Sequence, residues 1–132
     1  MAGPATNPIQ NPTEGYHYMG LVNFDAVAEL FNKCDIFCMP SYFEAYGLVF
    51  IEALTFGLPC IGRDCYEMPY FIEEGKTGLL LKEDNPQELA SLMKKTFQDD
   101  SFKKNVAARH DHLEEYSWDA VARRMKEAMD EK

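Results

Sequence analysis

No run in this chain approaches the ~20 consecutive apolar residues that a membrane-crossing helix needs. The opening MAGPATNPIQ lacks a basic stretch followed by an apolar core. That excludes the pattern of a signal peptide, so a cytoplasmic location is the expectation. Basic residues are in the minority: 13 Lys and Arg stand against 22 Asp and Glu, for a net charge of −9. A chain so acidic gains nothing from nucleic acid or an anionic membrane through bulk charge, and nucleic acid is not an expected partner. Cysteine is scarce and wrongly spaced for a metal: Cys34-x3-Cys38 and Cys60-x4-Cys65, with no histidine at ligand spacing. These read as reduced, buried thiols acting as small hydrophobes, with no metal site and no disulfide.

What is present is an ordinary globular balance of 46% hydrophobic, 13% aromatic and 27% charged residues in 132. That length holds one domain with a sizeable core. Residues 1–15, rich in Pro, Asn, Thr and Gly, read as an irregular connection, leaving 16–132 as the domain. Tyr16-His17-Tyr18-Met19 reads as a short strand ending at Gly20. Asn23 caps a helix through about Lys33, with Phe24, Val27, Ala28 and Phe31 on one face. Asp35–Met39 is nearly continuous grease ended by Pro40-Ser41, the mark of a strand buried on both faces.

A helix follows from about Gly47 to Gly57, then a strand Pro59–Gly62, a helical turn at Tyr70–Glu74 and a strand Gly78–Leu81. Asn85-Pro86-Gln87-Glu88 supplies an N-cap, an N1 proline and an N3 carboxylate. Leu89, Leu92, Met93 and Phe97 follow at helical spacing. Two more helices are expected, Ser101–Glu115 and one from Ser117 carrying Trp118, Val121, Met125 and Met129 as packing residues. Strands alternating with helices, then terminal helices, give an α/β fold with a partial doubly wound parallel sheet and three C-terminal helices.

In such sheets ligands sit beyond the carboxyl ends of the strands. The loop Ser41–Tyr46 leaves a strand at that edge and runs into a helix whose first amides, around Tyr46, Gly47 and Leu48, have no intrahelical acceptor and attract an anion. One turn inside stands Glu52, flanked by Val49, Phe50, Ile51, Ala53 and Leu54. If that helix is buried all round, an unpaired carboxylate costs several kcal/mol, so Glu52 must face hydrogen-bond donors. A ribose 2′,3′-diol offers two adjacent ones, and Glu44 points from the loop into the same crevice. The alternative is that Glu52 accepts from a nearby backbone amide and Glu44 is a surface acid flanking the helix. Arg63, at the same sheet edge, is either a cation for a phosphate or base, or a surface ion-pair partner.

Other signals are weaker. Gly75-Lys76-Thr77 mimics the end of a P-loop, yet Tyr70 occupies the earlier glycine position and a strand follows, so a turn is expected. His110 and His112, two apart on a helix, do not share a face.

Glu44-Ala45-Tyr46-Gly47-Leu48-Val49-Phe50-Ile51-Glu52 resembles the E-x7-E segment of retaining glycosyltransferases of group 1, also called family four, which have a GT-B architecture. Cys34–Ser41 is similar to that family's "aDvfvlPS" strand, Glu52–Pro59 to "EAmaxGxP", Gly75–Leu80 to "GxtGll" and Tyr116-Ser117-Trp118 to "fsW". Together they span roughly residues 15–130. The resemblance implies a Rossmann-like, donor-binding portion of a transferase, of hexosyl type, moving sugar from a nucleoside diphosphate to an acceptor with retained configuration. It implies Glu44 as the catalytic contact to the transferred sugar. Glu52 would hold the ribose, the amides of Tyr46, Gly47 and Leu48 the sugar and diphosphate, and Val22 the base; Ser41 and Arg63 complete the donor set. No cofactor or metal is implied beyond the nucleotide-sugar donor.

Two departures from the pattern stand out. Where the family has two glycines and then an acid after proline, this chain has Tyr66-Glu67 and Pro69-Tyr70. The Arg and Lys that clamp the diphosphate, the acceptor domain and the first strand of the sheet have no counterpart here. The expectation is a portion inactive alone, whose open strand edge pairs with a missing N-terminal domain, with another chain or with a second copy. A non-catalytic nucleotide-sugar-binding or assembly module, or a fragment of a GT-B-type epimerase, are the alternatives.

Overall fold

A computed structural model of the chain describes residues 14–109 and 114–130. The chain divides into two units, Met1–Lys33 and Cys34–Lys132.

Among the described residues of the first unit the one regular element is α1, Phe24–Lys33. The Asn23 side chain accepts from the Ala26 amide at 2.9 Å and its carbonyl takes the Val27 amide at 3.1 Å, so Asn23 is the N-cap expected of it. Asp25 in the first turn and Lys33 in the last complement the helix dipole. Of the expected apolar face only Phe31 is buried, whereas Phe24 is 80% exposed. Tyr16–Met19 is not a strand. A strand exists through its ladder, and the three described strands pair only with one another. His110, Asp111 and His112 lie outside the described residues.

The second unit is built on a parallel sheet of β1 (Phe37–Cys38), β2 (Cys60–Arg63) and β3 (Gly78–Leu81), in that order. The crossovers are α2 (Leu48–Thr55) and α3 (Met68–Phe71). β2 and β3 are buried nearly throughout, but β1 is only half-buried and two residues long. The strand expected over Asp35–Met39 is thus shorter than expected and not buried on both faces, and it stands at the edge of the described sheet, as the open edge expected of it requires. β3 lies so close to β2 that a Cβ on Gly78 would stand 1.9 Å from the Cys60 carbonyl oxygen, so no side chain fits there. On its other side, the Glu74 carboxylate accepts the Leu80 amide at 2.9 Å.

The core joins Phe50, Ala53 and Leu54 of α2 to Cys60 and Ile61, to Met68, Phe71 and Ile72, and to Leu79–Leu81. α4 (Pro86–Gln98) packs along β3, and α5 (Ser101–Ala108) buries Phe102 and Val106. The inward stripe of α4 runs from half-buried Leu89 and Leu92 to buried Thr96, not through Met93 and Phe97, which are exposed. Thr96 is accommodated because its hydroxyl donates to the Leu92 carbonyl at 2.9 Å. A 3₁₀ turn at Glu114–Tyr116 leads to α6, Trp118–Asp130, which buries none of its residues. Trp118, Met125 and Met129 are thus not core residues of this chain. Gly75-Lys76-Thr77 is the expected turn, with Lys76 and Thr77 amides on the Glu73 carbonyl. Among the described residues no helix is long and apolar enough to cross a membrane.

Candidate functional site

The loop between β1 and α2 carries most of the residues singled out from the sequence. Gly47 ends it in the left-handed region, φ 82° and ψ 36°, where a β-carbon is strained, and it serves as the N-cap of α2. It is also buried: an added Cβ would meet the Phe50 ring at 3.1 Å and the Glu44 side chain at 3.3 Å. A glycine has no side chain to cap a helix, and among the described residues no other side chain does so here. The first amides of α2 are left for a ligand or water, as anion sites at helix starts require. The helix closes with a Schellman pair, Gly57 amide to Leu54 carbonyl at 2.9 Å and Leu58 amide to Ala53 carbonyl at 3.0 Å.

α2 is not buried on every side. Phe50, Ala53 and Leu54 face the core, while Leu48, Glu52 and Thr55 form an exposed stripe, with Leu48 60% exposed. β2 and α3 take only one face of the helix. The desolvation argument for Glu52 is corrected accordingly: this carboxylate is solvated and escapes the cost of burial. Nor is it consumed by the protein's own amides, since no side-chain hydrogen bond or ion pair engages it among the described residues. It lines a groove of about 450 Å³ with Tyr46, Leu48, Tyr70, Tyr116 and Trp118. That size suits a small-molecule ligand, and an acid amid aromatic walls suits one with hydroxyls and a flat ring.

The remaining predicted residues are placed as follows. Glu44 is half-buried, does not line that groove, and accepts the Ala45 amide at 3.1 Å. Ser41 is half-buried at the start of the loop. Val22 is a half-buried residue of the first unit, before α1. Arg63 is engaged by the protein: Nε donates to the Pro40 carbonyl at 3.3 Å, Nη2 faces Asp84 at 3.5 Å, and the guanidinium carbon lies 4.2 Å from the centre of the Tyr42 ring. Tyr42 in turn donates its hydroxyl to Asp84. That bond holds the Asp84 carboxyl below its ordinary range and pushes the Tyr42 phenol up.

Sequence reasoning missed Tyr42 and Asp84, and marked Tyr66 only as a departure from the family pattern. Tyr66 occupies a position where the resembling family has glycine, and it takes the left-handed backbone itself, φ 51°. Its ring packs edge-on against Phe43 of the loop at 5.7 Å. The four cysteines are free thiols, and the burial expected of them holds only for Cys60: Cys38 and Cys65 are half-buried and Cys34 is exposed. No group of His, Cys, Asp or Glu among the described residues could hold a metal ion.

An uncharacterized glycosyltransferase of Methanocaldococcus jannaschii is 28% identical over 108 residues, covering 80% of this chain and 28% of that protein. The D-inositol 3-phosphate glycosyltransferase of Corynebacterium aurimucosum is 31% identical over 98 residues, covering 74% and 23%. The chain therefore spans about a quarter of the length of these relatives. Among solved structures, sucrose-phosphate synthase of Thermosynechococcus elongatus superposes with a TM-score of 0.72 at 25% identity, over 87% of this chain and 29% of that one. The pneumococcal O-GlcNAc transferase solved with UDP and GlcNAc gives 0.68 at 22% identity, over 87% and 24%, a likeness of fold. These neighbours are GT-B glycosyltransferases. The sequence profile of glycosyl transferases group 1 matches residues 11–112, and the chain belongs to that family.

Proposed function

We propose that this chain is the donor-binding portion of a retaining glycosyltransferase of family four. It takes a sugar, of hexose type, from a nucleoside diphosphate to an acceptor hydroxyl. The observation that carries the reading is one helix start: α2 opens on an uncapped, left-handed Gly47 with Glu44 just before it, and Glu52 stands unengaged on its exposed stripe.

In this reading the diphosphate lies against the first amides of α2, at Tyr46, Gly47 and Leu48. The helix start stabilises the charge that grows on the leaving phosphate as the anomeric C–O bond breaks. A new bond to the acceptor oxygen forms on the same face of the sugar, and the acceptor's proton passes to the departing diphosphate. Glu44 contacts the transferred sugar and sets its anomeric carbon for attack. Glu52 accepts from the two ribose hydroxyls. Ser41 lies at the edge of the donor loop. No resident cofactor enters the proposal; the nucleotide sugar is a substrate. The acceptor site and further cations for the diphosphate belong to other parts of a longer protein, so this chain alone turns over little or no donor.

Titration with UDP, GDP and ADP by calorimetry tests the site. One of them binds, and Glu52→Ala weakens it about tenfold or more, the order of one lost charged hydrogen-bonding partner. A chain that binds none of the three, or a Glu52→Ala variant that binds as wild type, removes the reading. Turnover of a labelled nucleotide sugar by the chain alone contradicts its incompleteness.

A further inference from the structure

One guanidinium gathers the segments that follow all three strands. Arg63 closes β2, and its side chain keeps only 13% of its surface exposed. Its Nε donates to the carbonyl of Pro40, just past β1, and its Nη2 faces Asp84 Oδ1 at 3.5 Å, just past β3. Tyr42, in the β1–α2 loop, places its ring under the guanidinium carbon and its hydroxyl on the other oxygen of Asp84. The result is a closed circuit of Arg63, Tyr42 and Asp84. A flat, forked cation can stack and donate in two directions at once, which an ammonium cannot.

The loop held by this circuit has little else to hold it. Among the described residues no main-chain hydrogen bond ties Tyr42–Tyr46 to another segment. Its remaining anchors are side-chain contacts, Phe43 against Tyr66 and Tyr46 against Phe71 at 5.4 Å. Glu44 and the opening of α2 take their positions from this loop.

We propose that Arg63 is a positioning residue: through Tyr42, Asp84 and the Pro40 carbonyl it fixes the Ser41–Gly47 loop, and so fixes Glu44 and the first amides of α2 for the donor. The donor half of this statement rests on the proposed function; the loop-holding half does not. A loop ordered before binding spares the ligand the cost of ordering it.

Backbone amide NMR relaxation and UDP and GDP titrations on the wild type, Arg63→Met, Arg63→Lys and Tyr42→Phe test it. In Arg63→Met the order parameters of the 43–47 amides fall from the rigid range, about 0.85, toward the flexible range, below about 0.6, while those of β3 keep their values, a local loosening. Nucleotide binding weakens with it. Arg63→Lys restores neither in full, because the stacked fork is lost. Tyr42→Phe, which keeps the ring and loses the hydroxyl, falls between. Unchanged loop order parameters in Arg63→Met overturn the proposal, as does an equal fall in β3, or nucleotide binding untouched by a loosened loop. If the wild type binds neither nucleotide, the donor reading falls, and the loop order parameters still support or overturn the holding role. Should Arg63→Met fail to fold, Asp84→Asn, whose side chain is 69% exposed, gives the same two readings.

Discussion

Glu52 shows how a sound energetic argument can rest on a wrong geometry. The sequence places it among apolar residues, and a buried, unpaired carboxylate would demand a ligand. In the fold it stands on the exposed stripe of α2, so burial makes no such demand, and the case rests on its freedom and its groove. Cys60 went the other way, since its burial follows from apolar neighbours that do end in the core. Burial pushes the Cys38 thiol from its ordinary 9.0 up to about 11, and pushes Cys60 up further. Folding therefore binds these protons more tightly than the unfolded chain does. Their contribution to stability is complete below about pH 9 and falls as pH rises from there through about 11 for Cys38. Urea unfolding midpoints that drop across this alkaline window are the expected result. At neutral pH, an aromatic disulfide reagent should modify Cys34 and Cys65 first, and Cys38 and Cys60 only with unfolding. Rapid modification of all four thiols would contradict this.

At the scale of elements, punctuation was the most legible part of the chain. Asn85 caps α4 as its neighbours predict, accepting from the Gln87 amide at 2.9 Å and the Glu88 amide at 3.2 Å. Glu88 does not close the reciprocal half of the capping box. Its carboxylate reaches the Lys82 and Glu83 amides instead, tying the helix to the end of β3. Asn85→Ala should cost about 1 kcal/mol, seen as a lower urea midpoint with an unchanged slope; Asn85→Asp should keep most of it. A midpoint untouched by Asn85→Ala would mean the cap contributes nothing. Gly57 and Gly75 were readable for the same reason, because turn chemistry is local. Strand extent was not. Tyr16–Met19 has a strand's composition and no ladder, and Asp35–Met39 shrinks to two residues because only one neighbour pairs with it. The apolar face of α4 was misjudged because Thr96, polar by type, is accommodated by its own helix, while Phe97 one residue on points to solvent.

Over the whole molecule, β1 sits at the sheet's edge, and α6 carries Trp118, Met125 and Met129 at 89%, 63% and 75% exposure. Exposed apolar side chains on this scale, together with a strand edge that no described strand pairs, favour association. Light scattering on the chain alone should show a mass above that of the monomer, rising with protein concentration. A monomer across that range would count against association.

The family likeness, the α/β alternation, the helix caps and the glycine that opens α2 were fixed locally, by the sequence alone, because each depends on residues within a turn or two of one another. The packing of long-range neighbours lay beyond it. Which side of α2 meets the core, whether a greasy stretch finds a ladder, and that Arg63, Tyr42 and Asp84 close a circuit are contacts between separate segments, Arg63 standing 21 residues from Asp84. Their partners depend on how the strands line up. Only the tertiary structure sets that alignment, because the free energy of each such contact depends on what every other segment has already covered.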